Sequence, residues 1–223
     1  MKTCLMLHGI GEPRSELPAV EWPYWIPQET FYGIIELMRT APAQITIDDG
    51  NATDVEIALP ALVDAGLSAT FFIPTDRIGE NHYLTEAGIR ALHAAGMEVA
   101  SHGCSHLRWT TVSDAEIAVD VARSIERLAA IIGAPVRSVA VPYGDCDRRV
   151  LRVLRSLGVG RVYSSFRGPD PDGGWLVRRD CVTRDMTLAD VAAMLTSQPS
   201  TAETALNFLR IWRRAGHATL RKA

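Results

Sequence analysis

The feature that most constrains this chain is its alternation of short apolar runs with helix-patterned stretches. Runs at 3–7, 43–47, 69–73, 97–100, 138–141 and 160–163 have strand length and apolar character. Between them, 52–65, 85–95, 113–132 and 147–157 carry helical patterns, and 187–195 and 202–214 continue them towards the C-terminus. Thr85 is placed to cap the second of these helices. Ser113-Asp114-Ala115-Glu116 reads as a capping box, and Gly158 as the stop of the fourth helix. Strands alternating with helices imply a parallel sheet with right-handed crossovers. Six or seven such units in one domain predict an α/β barrel, complete or not, with an open doubly wound sheet as the alternative. The stretch 11–27, containing "EPRSELPAVEWPYWIP", breaks the rhythm. It is rich in Pro and Trp and predicts a long loop, of a length that is often functional inside a domain.

The bulk numbers narrow the class. At 223 residues, 47% hydrophobic and 22% charged, the chain suits one globular domain. We place that domain at 1–200, with 201–223 as a basic helix or tail. A formal net charge of −3 argues against a nucleic-acid partner. No apolar run approaches the roughly 18–20 residues that span a membrane. The apolar run in "MKTCLMLHGIGEP" is too short for a signal-peptide core, so a cytoplasmic protein is expected. Cys4, Cys104, Cys146 and Cys181 form no CxxC pair and read as reduced thiols. From Ala202 on, Arg210, Arg213, Arg214, Arg221 and Lys222 face only Glu203, with Phe208, Ile211 and Trp212 among them. Such a segment is either a packed terminal helix or a peripheral contact with an anionic inner-membrane surface.

In α/β folds, ligands bind where parallel strands end. Here the strand ends carry His8-Gly9, Asp48-Asp49-Gly50, Pro74-Thr75, Ser101-His102-Gly103 with His106 close behind, and Pro142-Tyr143-Gly144-Asp145. Three histidines and two aspartates on one rim point to a metal site, since imidazole with carboxylate suits zinc and its first-row neighbours. Asp49, His102 and His106 would leave positions open for water, which is a catalytic arrangement and not a closed structural one. The metal also explains why a core strand ends on two carboxylates, which are costly to bury together. One aspartate binds the cation, and the other stays ionised as a base. His82, His93 and His217 sit in polar or helical surroundings and read as non-functional.

These motifs resemble those of the NodB-type polysaccharide deacetylases, carbohydrate esterase family 4. "TIDDG" is similar to the family's TFDDG motif. "SHGCSH" is similar to H-(S/T)-x-x-H, with Gly103 in the Ser/Thr place, and "VPYGD" to R-x-P-Y, with Ala140 where the arginine stands. The resemblance runs from about residue 3 to 165. It implies a distorted (β/α)7 barrel in a single domain and hydrolysis of an acetyl group from a sugar. The family's late strand ending in histidine is matched at the start, by "CLMLHG", so the chain resembles a circularly permuted branch. By this resemblance Asp49, His102 and His106 hold a divalent metal, zinc first, with cobalt, nickel or manganese as other candidates. Asp48 is the general base, His8 the catalytic acid, and the backbone N–H of Tyr143 steadies the oxyanion. Arg108, Arg178 or Arg179 could replace the arginine missing at Ala140. Trp22, Trp25 and Trp109 either stack on a sugar or anchor loops. The implied partner is an N-acetylated sugar, free or carrier-linked. The alternatives are an amidohydrolase of a small amide or cyclic ureide, and an inactive sugar-binding module.

Overall fold

The computed structural model describes residues 3–41, 43–166 and 174–196. Eight strands form one sheet: β1 Cys4–Leu7, β2 Gln44–Asp48, β3 Thr70–Ile73, β4 Glu98–Ser101, β5 Ser138–Ala140, β6 Arg161–Tyr163, β7 Leu176–Val177 and β8 Asp180–Cys181. Their order is β7-β6-β5-β4-β3-β2-β1-β8, and every pairing is parallel. The last two strands are halves of one extended segment. Its first half pairs with β6, Val162 opposite Leu176 and Tyr163 opposite Val177. Its second half pairs with β1, Leu5 opposite Asp180 and Met6 opposite Cys181. One segment thus occupies both ends of the sheet. The architecture is the distorted (β/α)7 barrel, not the open doubly wound alternative.

The six runs read as strands are strands, each within a residue or two of its expected bounds. The closing segment was not expected, because two-residue strands flanking Arg178 and Arg179 carry no apolar run. The helices are α1 Gln28–Met38, α2 Leu59–Asp64, α3 Glu86–Ala94, α4 Asp114–Ile132, α5 Arg148–Ser156 and α6 Leu188–Thr196. Thr85 caps α3 by accepting from the Gly88 N–H, and Ser113 and Glu116 form the reciprocal capping box of α4. Gly158 stops α5 in the left-handed region at φ 72°. The stretch 52–65 divides into a wider π-type turn over Asp54–Ala58 and then α2. The expected helix 202–214 and the tail 201–223 lie outside the described residues.

Helix α1 was not expected. Pro27 offers no side-chain cap and Gly33 interrupts its pattern. The helix forms because Phe31, Ile34, Ile35 and Met38 are buried together, each such side chain worth about 1.5–3 kcal/mol. Gly33 is dictated by packing, since a Cβ there would lie 2.5 Å from Leu188 Cδ1 of α6. Inside the barrel, Cys4, Phe72, Ala100, Ala140, Tyr163 and Val177 pack as an apolar cluster contributed by six strands. Polar side chains are therefore displaced to the carboxyl ends of the strands. No disulfide joins the four cysteines, three of which are buried. Among the described residues, no helix is long and apolar enough to cross a membrane.

Candidate active site

The Asp-Asp-Gly turn follows β2 directly. Asp48 is the last strand residue and is buried. Asp49 turns out of the strand with φ 80°, and Gly50 follows at φ 64°. A non-glycine residue in this left-handed region carries strain that surrounding contacts must hold, and such positions cluster at functional sites. His106 at φ 53° and Tyr143 at φ 59° are two more. Asp49, His102 and His106 each present a ligand atom, and these atoms lie within 4.8 Å of one another.

Local bonding prepares this triad for a cation. His102 donates from Nδ1 to the Ala140 carbonyl at 3.0 Å, which fixes the tautomer with its Nε2 lone pair free. That Nε2 lies 3.9 Å from Asp49 Oδ1 and 3.8 Å from Asp48 Oδ2. His106 Nε2 lies 3.3 Å from Asp49 Oδ1. Asp49 Oδ1 and His106 Nδ1 are buried without a hydrogen-bond partner. Burial pushes the His102 imidazolium below its ordinary range, although Asp48 and Asp49 oppose it. Burial, then repulsion from His102, lowers His106 to about 3. Both rings are neutral at pH 7, as metal ligands must be. The donor set fits a divalent metal.

The arginine absent from Ala140 is supplied by the closing segment. Arg179, between β7 and β8, is fully buried. Its guanidinium grips both oxygens of Asp48, Nη1 to Oδ1 at 2.6 Å and Nη2 to Oδ2 at 2.9 Å. Its Nε donates to the Ser164 carbonyl at 3.1 Å and Nη1 also to Thr46 Oγ1 at 3.2 Å. Below it lie the rings of Phe72 and Tyr163, 5.3 and 6.0 Å away. Of the three arginines considered, Arg108 instead stacks on the Tyr143 ring at 4.3 Å and pairs with Asp145 at 3.4 Å. Burial alone would raise the Asp48 carboxyl, but Arg179 foremost, then His102 and His8, hold it below its ordinary value. Burial likewise opposes ionisation of Asp49, and its neighbours, His8 first, outweigh it.

His8 follows β1 and sits beside this pair, close enough to act electrostatically on both aspartates. Its Nδ1 is buried and unpartnered, and its ring lies 5.0 Å from that of Tyr24. Tyr143 is about half exposed (56%), with its ring 4.6 Å from that of His106. All six residues expected at the site, His8, Asp48, Asp49, His102, His106 and Tyr143, therefore come to one end of the barrel. Trp109 and Trp25 are buried and anchor loops. Trp22, at 44% exposure, is the one of the three open to solvent.

Two residues were missed. Asp120, a carboxylate buried on α4, binds the middle of the loop between His102 and His106. Its Oδ1 accepts from the N–H groups of Cys104 and Ser105 at 3.0 and 3.1 Å, and its Oδ2 from Trp109 Nε1 at 2.9 Å. It also explains Gly103, where a Cβ would meet Asp120 Oδ2 at 2.3 Å. An acid on the otherwise apolar face of α4 was the available signal. Asp54 is fully buried with both oxygens unpartnered, and burial, then Asp49 and Asp48, push its carboxyl well above the ordinary range.

A family model for polysaccharide deacetylases matches residues 38–162, more than half of the chain. The chain belongs to the polysaccharide deacetylase family. YxkH of Bacillus subtilis, named as a polysaccharide deacetylase, is 25% identical over 114 residues, 51% of this chain and 41% of YxkH. Chitin deacetylase 1 of Cryptococcus neoformans is 23% identical over 163 residues, 73% of this chain and 33% of that protein. The chain thus spans less than half the length of either relative. Among solved structures, the Streptococcus pyogenes deacetylase PplD has the same fold, with TM-score 0.77 at 16% identity over 88% of this chain and 98% of that one. IcaB of Ammonifex degensii gives TM-score 0.73 at 20% identity, covering 88% and 98%.

Proposed function

We propose that the protein is a metal-dependent hydrolase that removes the acetyl group from an N-acetylated amino sugar. The observation that carries this reading is the convergence of Asp49, His102 and His106 within 4.8 Å beside an Asp48 gripped by Arg179. The family match and the chitin deacetylase relative support the substrate class. The donor set favours zinc, with cobalt, nickel or manganese able to replace it.

A divalent metal bound there supplies Lewis acidity towards the acetyl oxygen and acidifies a water. Asp48 takes the proton of the attacking water as general base. Arg179 fixes the Asp48 carboxylate in place and keeps it ionised. The backbone N–H of Tyr143, on its left-handed turn, is the donor assigned to the developing oxyanion. His8 gives a proton to the departing nitrogen, which leaves poorly as an amide anion. This intact set of charged groups argues against an inactive sugar-binding module.

The test is acetate release from N-acetylated sugars, free, nucleotide-linked and lipid-linked, before and after chelation. Hydrolysis that is lost on chelation and restored by zinc supports the reading. Hydrolysis of a cyclic ureide with none of the sugars would replace it with the amidohydrolase alternative. A cytoplasmic setting and membrane contact through 201–223 are further proposals, read out by fractionation and by co-sedimentation with anionic vesicles.

A further inference from the structure

The loop 11–27 brings an arginine to the mouth of the site. Arg14 lies with its guanidinium 4.8 Å from the centre of the Tyr83 ring and 5.6 Å from that of Trp25. Arg77, from the turn after β3, lies 5.1 Å from the same Tyr83 ring. Two like charges therefore share one aromatic ring. Arg77 forms one long ion pair, to Asp49 Oδ1 at 3.7 Å, which leaves the rest of its fork without a carboxylate among the described residues. The two polar contacts of Arg14, to Asn51 Oδ1 at 3.4 Å and the Asn81 carbonyl at 3.5 Å, are at the outer limit, and its Nε has no partner. Glu21 is close enough to feel Asp49, Arg77, Arg14 and His8, but it forms no ion pair with either arginine among the described residues. Buried or half-buried guanidinium groups are normally matched by a carboxylate or phosphate, to which their planar fork donates in pairs.

We infer that Arg14 and Arg77 form a subsite for an anionic substituent, a phosphate or a carboxylate, carried by the sugar whose acetamide reaches Asp48 and Asp49. Tyr83 lies against both guanidinium groups and so limits the entropy lost on binding. Asn51, buried and paired with Tyr83 as an isolated bridge, ties this subsite to the Asp48-Asp49 turn. The inference rests on the deacetylase reading and specifies its substrate as charged.

The experiment compares kcat/KM for N-acetylglucosamine 1-phosphate, N-acetylmuramic acid and neutral N-acetylglucosamine, using metal-loaded protein. At least one anionic sugar is expected to exceed the neutral one by about tenfold or more, chiefly through KM, with the preference shrinking as salt rises. The phosphate and carboxylate arms show which anion is preferred. Arg14→Gln and Arg77→Gln should each lower the anionic-to-neutral ratio several-fold, a change that simple loosening of the loop would not produce. A ratio near one in the wild type, or an unchanged ratio in both variants, overturns the inference while leaving the deacetylase reading intact. If no sugar is hydrolysed, the deacetylase reading fails, and inorganic phosphate binding by calorimetry decides the subsite. Weaker binding in the Arg14→Gln, Arg77→Gln double variant supports it, and equal binding overturns it.

Discussion

The floor of the site and its mouth are built differently. On the floor, Asp48 and Arg179 are buried and joined by two short charge-assisted bonds, and His102 is fixed through Ala140. At the mouth, Trp22, Tyr24 and Tyr143 are open to solvent, and Arg14 and Arg77 make only long contacts. A floor whose base is locked between Arg179 and the strand ends suits one chemical step. A mouth with unspent donors and exposed rings suits the choice of substrate. Substitutions should therefore separate into those that change turnover and those that change KM.

The sharpest break in that comparison is Asp48→Asn. It keeps the shape but removes the base, and kcat should fall about 10²–10⁴-fold with KM little moved. His8→Ala should cost a similar factor on an acetamide. On 4-nitrophenyl acetate, whose leaving group needs no proton, the loss should be far smaller, and equal losses on both would remove His8 as the acid. Arg179→Ala strands a buried carboxylate and should cost about 3–5 kcal/mol in thermal or denaturant unfolding. The sign with pH follows from the lowered Asp48 carboxyl. The pair contributes its full stability above the unfolded value of about 3.9, and loses it as pH falls further through the folded value. Tyr24→Ala, at the mouth, should leave unfolding nearly unchanged and alter KM by less than about tenfold. Smallest of all should be the pH dependence of metal affinity near neutrality. His106 lies at about 3 and burial lowers His102 below its ordinary range, so affinity measured from pH 7 to 8 should be nearly flat.

The same contrast marks what the sequence disclosed. Groups close in sequence, such as Asp48 with Asp49 and His102 with His106, were legible because one turn sets their relation. His8 was legible from an apolar strand ending in His-Gly. The link of Arg179 to Asp48 spans 131 residues and depends on how one segment closes the barrel. It left only three candidate arginines in the sequence, and Ala140 said merely that one was needed. Asp120 was hidden for the same reason, since its partners lie 11 to 16 residues away across a helix–loop contact. Helix α1 was missed because burial, not capping or periodicity, makes it.

The central claim is that the closing segment, through Arg179, keeps the general base ionised. The most direct measurement is the pH dependence of kcat/KM on an N-acetylated sugar for the wild type and Arg179→Gln, with folding of both checked by circular dichroism. Without the guanidinium, burial dominates at Asp48, so the acidic limb of the profile should move towards neutral pH and activity at low pH should fall most. An acidic limb that stays in place while kcat/KM falls equally at every pH would contradict the account.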